Sequence, residues 1–417
     1  MTQSNPIEIM APAGNFESLV AGINAGANSV YFGVEQLNMR ARASMNFTLD
    51  DLPEIARLCH EKGVRSYLTM NTIVYDHDLS VIKTILTQCK AVNISAVIAS
   101  DQAVIACARQ LGLEVHISTQ VNITNIETVK FYAMFADTVV LSRELSLIQI
   151  KKITDAIAKE NICGPSGKLI EVEIFVHGAL CMAVSGKCYL SLHTHNSSAN
   201  RGACIQNCRR TYTVIDKQDG HELEIDNEYI MSAQDLCTID FLDQVLAAGV
   251  KVLKIEGRGK GPEYVKTTVE CYKAAVEAYF EGTYTAEKAS EWKIELEKVY
   301  HRGFWSGYYL GQELGEWNET AGSKATTRKV YLGKGNHYFN KIQVAEFKME
   351  SHKLAVGDAI LITGPTTGVI EMVITELHTD NGQVQEAFKG DKVAFKTPVP
   401  IRPTDKLYKI VDASEVE

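Results

Sequence analysis

Eight short apolar or β-branched runs, each followed by a longer stretch, recur through the first 280 residues. The runs are Ile7–Ala11, Ser29–Phe32, Ser66–Met70, Ala96–Ser100, Val115–Thr119, Thr138–Ser142, Glu171–Val176 and Val252–Glu256. They are continuous rather than alternating, as strands covered on both faces should be. Stretches such as Phe16–Ala25, Leu52–Lys62, Leu79–Val92, Gln102–Leu111 and Ile126–Phe135 carry amphipathic, helical patterning. Eight such units in series predict an α/β fold, a (β/α)8 TIM-like barrel. The alternative is an open doubly wound sheet. That fold would place Gly-x-Gly-x-x-Gly after the first strand, where this chain has Ala11-Pro-Ala-Gly14.

The series is interrupted once and then ends. After the seventh run a cysteine-rich insertion spans residues 178–226 and carries a predicted hairpin, Thr211–Ile215 with Leu223–Ile225 around Asp219-Gly220. The pattern resumes with helix Asp240–Ala248, the last strand and helix Glu263–Phe280. From Lys329 to Ile410 the chain is strand-rich with glycine turns, which predicts a small all-β domain in the form of a six-stranded barrel. The expected division is residues 1–320 for the barrel and 327–412 for the β-domain.

The insertion holds Cys181, Cys188, Cys204 and Cys208, spaced Cys-x6-Cys-x15-Cys-x3-Cys. Met1-Thr-Gln-Ser-Asn-Pro leads into the first strand without a basic-then-apolar leader, and no apolar run has spanning length. A cytoplasmic location is therefore expected, and there clustered cysteines are thiols or metal ligands before they are disulfides. Structural zinc prefers Cys-x2-Cys knuckles, which this spacing lacks. An iron–sulfur cluster tolerates scattered loop positions. Zinc and unligated thiols stay open beside it, and Cys237 is a possible further ligand. Cys59, Cys89, Cys107 and Cys271 lie singly in helical segments and read as small buried apolar residues.

Barrel chemistry gathers at the C-terminal ends of the strands, where polar residues are dense. Arg143, Glu144, His177 and Glu256 are candidate catalytic groups. Arg40, Arg42, Asn71, Gln120, Asn122, Lys254 and Arg258 are candidate substrate binders, the arginines suited to bidentate contact with carboxylates or phosphates. Each also has a mundane reading as helix cap or rim ion pair, with Asp101 a further cap candidate. Hydrolase signatures such as His-Glu-x-x-His and Gly-x-Ser-x-Gly are absent, and a Cys181–His177 nucleophilic pair is the remaining peptidase option. The net charge of −9 excludes a generally polycationic surface. Yet Ser323–Ile410 carries 13 Lys/Arg against 9 Asp/Glu, and Lys334, Lys341, Lys392 and Lys396 near its turns are candidate phosphate contacts.

Met10-Ala-Pro-Ala-Gly14, Ser142-Arg-Glu-Leu-Ser146, Phe175-Val-His-Gly-Ala-Leu-Cys-Met182, Ser185-Gly-Lys-Cys188 and Leu253-Lys-Ile-Glu-Gly-Arg258 resemble the collagenase-like peptidase family U-32 over nearly the whole chain. Length, the Cys204-x3-Cys208 pair and the short β-domain look most like its tRNA hydroxylation branch. The resemblance implies oxygen-independent hydroxylation of the tRNA wobble uridine to 5-hydroxyuridine, with a 4Fe-4S cluster and with prephenate as co-substrate and hydroxyl source. Its cluster cysteines carry over to Cys181, Cys188, Cys204 and Cys208. A U-32-type peptidase, or hydroxylation of ribosomal RNA or a ubiquinone precursor, are the alternatives it leaves.

Overall fold

The computed structural model describes residues 7–35, 37–42, 46–213, 229–311, 315–319 and 322–415. Strands β1 (Glu8–Pro12), β2 (Ser29–Phe32), β3 (Arg65–Met70), β4 (Ala96–Ala99), β5 (Glu114–Ile117), β6 (Thr138–Val140) and β7 (Glu171–Ala179) run parallel in chain order. A short strand, β8 (Asp235–Cys237), lies antiparallel on the end of β7, and β9 (Val252–Ile255) pairs in parallel with both β7 and β1. That double pairing closes the eight-stranded barrel. The predicted runs match these strands to within a residue or two at most ends, because buried parallel strands write themselves as unbroken apolar segments.

Helices α1 (Phe16–Asn24), α2 (Leu52–Glu61), α3 (Leu79–Ala91), α4 (Gln102–Gln110), α5 (Ile126–Ala133) and α6 (Leu147–Glu160) alternate with the first strands. Their starts are written locally: Asn15, Asp101, Asn125 and Ser146 each accept a backbone N–H of the first turn. A short α7 (Leu190–His195) sits in the cysteine-rich insertion. Then α8 (Leu242–Ala247), α9 (Pro262–Phe280) and α10 (Ala286–Glu297) complete the wall. One apolar core joins strands and helices, and a smaller interior layer of Met10, Tyr31, Tyr67, Ala96, Ile98 and Val252 fills the lumen. No helix among the described residues is long and apolar enough to cross a membrane.

The C-terminal region is all-β, as expected, with its own core of Leu332, Phe347, Ile360, Ile362, Phe395 and Leu407. Its hydrogen-bonded sheet takes in eight antiparallel strands rather than six. The order is Gly368–Val373, Ala359–Gly364, Lys406–Asp412, Thr327–Phe339, Val344–Met349, Lys392–Lys396, Leu377–Thr379 and Gly382–Val384. This sheet packs sideways on α1 and α9, with ion pairs Lys329–Glu263 at 2.7 Å and Lys266–Glu371 at 3.0 Å. The hairpin expected at Thr211–Ile215 and Leu223–Ile225 lies, beyond its first three residues, outside the described residues.

Candidate functional site at the barrel mouth

The mouth divides into two chemically different halves. Over β1, β2 and β9 it is cationic. Glu256, one residue past β9, takes Arg40 Nη2 at 2.5 Å on its Oε1. Burial alone would raise the Glu256 carboxyl, but Arg40 and the nearby Lys260 and Arg258 hold it below its ordinary value. Arg258 is buried and donates through Nη1 to Asn38 Oδ1 at 3.0 Å and Thr69 Oγ1 at 2.9 Å. Burial pushes its pKa down to about 10. Gly33 makes room for that pair, since a Cβ there would stand 2.6 Å from Asn38 Cγ and 2.8 Å from Arg258 Nη1. The rim pairing expected within each motif, Arg143 with Glu144 and Arg258 with Glu256, is not what forms. Arg40 takes Glu256 instead, across 216 residues of sequence.

Beneath this half lies Lys254, not at the mouth surface but buried, with its Nζ 2.6 Å from Glu173 Oε1 and 4.6 Å from the Tyr31 ring centroid. Sequence reasoning missed Glu173, which reads as one polar letter in an apolar strand. It also missed Lys260, whose ammonium sits 3.0 Å from the Tyr300 ring centroid and is pushed down to about 7 by burial. The run Gly257-Arg-Gly-Lys260 directly after the last barrel strand was the available signal.

Over β3–β5 the mouth is lined by amides. Asn71 donates to Ser118 Oγ and Gln120 Oε1, both at 3.1 Å, and accepts the Met39 N–H at 3.2 Å. Asn122, held in the left-handed region at φ 58°, donates to Gln120 O and to Ser185 O of the cysteine loop. Asp101 spends its carboxylate on the α4 cap and on the Val74 N–H, so its mundane reading holds. A cleft of about 470 Å³ opens here between Asn71, Gln120, Lys187 and Tyr189. A larger one of about 760 Å³ lies on the C-terminal sheet, lined by Phe339, Ile342, Lys392 and Lys396 among others. The smaller cleft is the candidate site because the convergent polar groups and the cysteine loop border it.

The cysteine loop folds back over this mouth. Arg209 donates to Leu180 O at 2.6 Å, which draws the neighbour of Cys208 onto the neighbour of Cys181. Cys188 N–H donates to Asn200 Oδ1 at 3.1 Å, and Arg42 N–H to Gly202 O at 3.2 Å. The Cys208 thiol is raised by burial, then lowered by Arg209 and raised further by Cys181, Cys204 and Cys188, so all four thiols share one electrostatic neighbourhood. Cys204 in turn acts on Arg40. Among the described residues no three His, Cys, Asp or Glu side chains stand together closely enough to hold a single metal ion. Cys237 is apart from this group, buried in β8 with its sulfur 4.0 Å from Tyr272 Oη.

Arg143 serves the same loop. Its guanidinium donates to Ala179 O at 3.3 Å and Ser185 Oγ at 2.8 Å, bracketing Cys181, and its cation lies 5.4 Å from the Phe175 ring centroid. Lysine keeps the charge but not the fork. Arg143→Lys is expected to free the loop by about 1 kcal/mol, raising its open population about 5-fold. Limited trypsin digestion at the exposed Lys187 reads this directly. Unchanged cleavage would mean that Arg143 does not hold the loop.

Two candidates stand elsewhere. Glu144 is exposed, and Arg42 is exposed at the loop edge. His177 is 1% exposed and faces Tyr264 and Tyr272 of α9, with ring centroids 5.8 and 5.6 Å away. Strict alternation from Glu173 and Phe175 would have turned it into the lumen; a register irregularity between Phe175 and His177 turns it out. Its Nδ1 is 3.5 Å from Tyr272 Oη. Burial first, then the charges of His301 and Lys260, push its pKa down to about 3. Between pH 6.5 and 3 the unfolded chain therefore binds a proton that the folded one refuses. Stability should fall as pH drops through that window, by up to about 1.4 kcal/mol per pH unit from this group. Denaturant midpoints at neutral and acidic pH should show a smaller acid loss for His177→Phe than for the parent. Equal losses would refute the buried neutral imidazole.

A family model described as peptidase family U32 matches residues 14–319. A protein named collagenase from Porphyromonas gingivalis is 55% identical over 405 residues, covering 97% of this chain and 98% of its own. The tRNA hydroxylation protein P1 of Bacillus subtilis is 28% identical over 411 residues, covering 96% and 94%. A 23S rRNA 5-hydroxycytidine synthase of Escherichia coli is 32% identical over 323 residues, covering 75% of this chain and 46% of that one.

Proposed function

The chain belongs to peptidase family U32, and on that premise we propose that it is an RNA-modifying enzyme, an oxygen-independent hydroxylase of the tRNA wobble uridine that forms 5-hydroxyuridine. The observation that carries this reading is the convergence of Cys181, Cys188, Cys204 and Cys208 over an amide- and arginine-lined mouth. These four would hold a 4Fe-4S cluster. Thiols within electrostatic reach of one another, yet not gathered for a single ion, suit a core whose sulfides do the bridging. A single zinc would want its sulfurs about 3.8 Å apart, from Zn–S bonds near 2.3 Å.

Such a cluster would supply one-electron redox chemistry. The protein's part is to bind and orient. Arg258 and Arg40, with Glu256 fixing Arg40, offer guanidinium edges to a dicarboxylate, and prephenate as hydroxyl donor fits that demand. Asn71 and Gln120 would position the RNA base on the other side. Relatives named for tRNA and ribosomal RNA hydroxylation support an RNA substrate.

Mass spectrometry of tRNA nucleosides tests the reading. Deleting the gene should remove 5-hydroxyuridine and its derivatives, and the intact gene should restore them. The relative named collagenase, at 55% identity, favours peptide hydrolysis as a second reading. Against it, His177 packs on α9 with its ring nitrogen at Tyr272, not presented as a base to Cys181. Unchanged nucleosides together with gelatin cleavage by the purified protein would replace the first reading with the second.

A further inference from the structure

We infer that the cleft over β3–β5 is a nucleobase pocket that takes one unstacked pyrimidine from a single-stranded RNA loop, with Tyr189 as the stacking platform at its entrance. This rests on the RNA-modifying reading above and adds where the base goes and which RNA form is bound.

Size and chemistry both point this way. About 470 Å³ holds a nucleoside. The lining is largely neutral: Asn71, Gln102 and Gln120 present amides, Lys187 is its one cation and Asp101 its one carboxylate among the described residues. An amide carries both donor and acceptor, and a pyrimidine edge alternates the two. Thr72 is 1% exposed, lines the same cleft, and its Oγ1 has no hydrogen-bond partner among the described residues. A buried hydroxyl left in that state is costly unless a ligand completes it. The cationic half of the mouth, by contrast, already suits carboxylates.

The entrance is apolar and flat. Tyr189 is 66% exposed, Ile73 is 42% exposed, and Tyr75 beside them lies under the Arg201 guanidinium at 4.2 Å. Exposed rings beside cations are what unstacked bases settle on, while a duplex keeps its bases stacked on each other. Lys187 and Tyr189 flank Cys188, so the pocket shares a wall with the cysteine loop. Gly186 lets that wall close, since a Cβ there would lie 2.7 Å from Gln120 Cγ.

The test is fluorescence anisotropy on the anaerobically purified full chain, with a labelled RNA hairpin carrying a uridine-containing loop and a blunt duplex of equal phosphate number. The hairpin should bind more tightly than the duplex. Tyr189→Ala should weaken hairpin binding about 10-fold while Tyr189→Phe retains it. Duplex binding should be indifferent to both changes. If Tyr189→Ala binds the hairpin as the parent does, or if duplex and hairpin bind alike, the pocket is misassigned while the RNA reading stands. If the parent binds neither RNA, both fall together.

Discussion

Replacing any one of Cys181, Cys188, Cys204 or Cys208 by Ala is expected to remove bound iron and hydroxylation activity together. Activity should fall by more than the roughly 10- to 100-fold that outer-shell changes cost at metal sites. The reasoning is geometric. Arg209 ties the two ends of the loop through Leu180 O, and Asn200 fixes the Cys188 backbone between them. The loop therefore presents one set of sulfurs rather than separate pairs. Cys237→Ala should leave iron in place, because that thiol is buried at Tyr272 and burial pushes it up to about 12. Iron and sulfide assays after anaerobic purification, with the visible spectrum of a ferric–sulfur chromophore, decide the matter. Stoichiometric zinc without iron would overturn the cluster. Iron kept in Cys208→Ala but lost in Cys237→Ala would move the fourth ligand to β8.

The barrel was legible because its strands are buried on both faces, and the helix caps because Asn15, Asp101 and Ser146 act within three residues of themselves. Local signals of this kind survive in one dimension. Long-range pairings do not: nothing near Glu256 announces Arg40, and nothing near Lys254 announces Glu173. His177 was misplaced for a sharper reason. A single irregularity in β7 reverses the facing of everything after it, and no residue type marks that point. The β-domain gained two strands over expectation because Leu377–Thr379 and Gly382–Val384 have three residues each, too few for a pattern. The division of the mouth into a cationic and an amide half was likewise hidden. The residues were all in hand, but their grouping depends on which strands stand side by side.

The Lys254–Glu173 pair leads to the largest expected loss of stability. Both side chains are almost wholly buried, at 6% and 0% exposure, and Nζ and Oε1 are 2.6 Å apart. Glu173 Oε2 has no hydrogen-bond partner among the described residues, so the pair is incompletely satisfied. Charges buried in this way add little net stability over an apolar pair, yet removing one partner strands the other. Glu173→Gln should therefore cost about 3–5 kcal/mol, measured as a shift in denaturant midpoint. The double change Glu173→Leu with Lys254→Met removes both charges and should recover most of that loss, since Tyr31 and Phe175 already flank the ammonium with rings. Activity then separates two roles. A double variant that is stable, keeps iron and has lost hydroxylation would show that Lys254 is held under the mouth for the reaction, with Glu173 as its positioning residue. A double variant that is stable and fully active would make the pair a structural element of the lumen. If Glu173→Gln unfolds at the parent's midpoint, the ammonium is not confined there as the geometry requires.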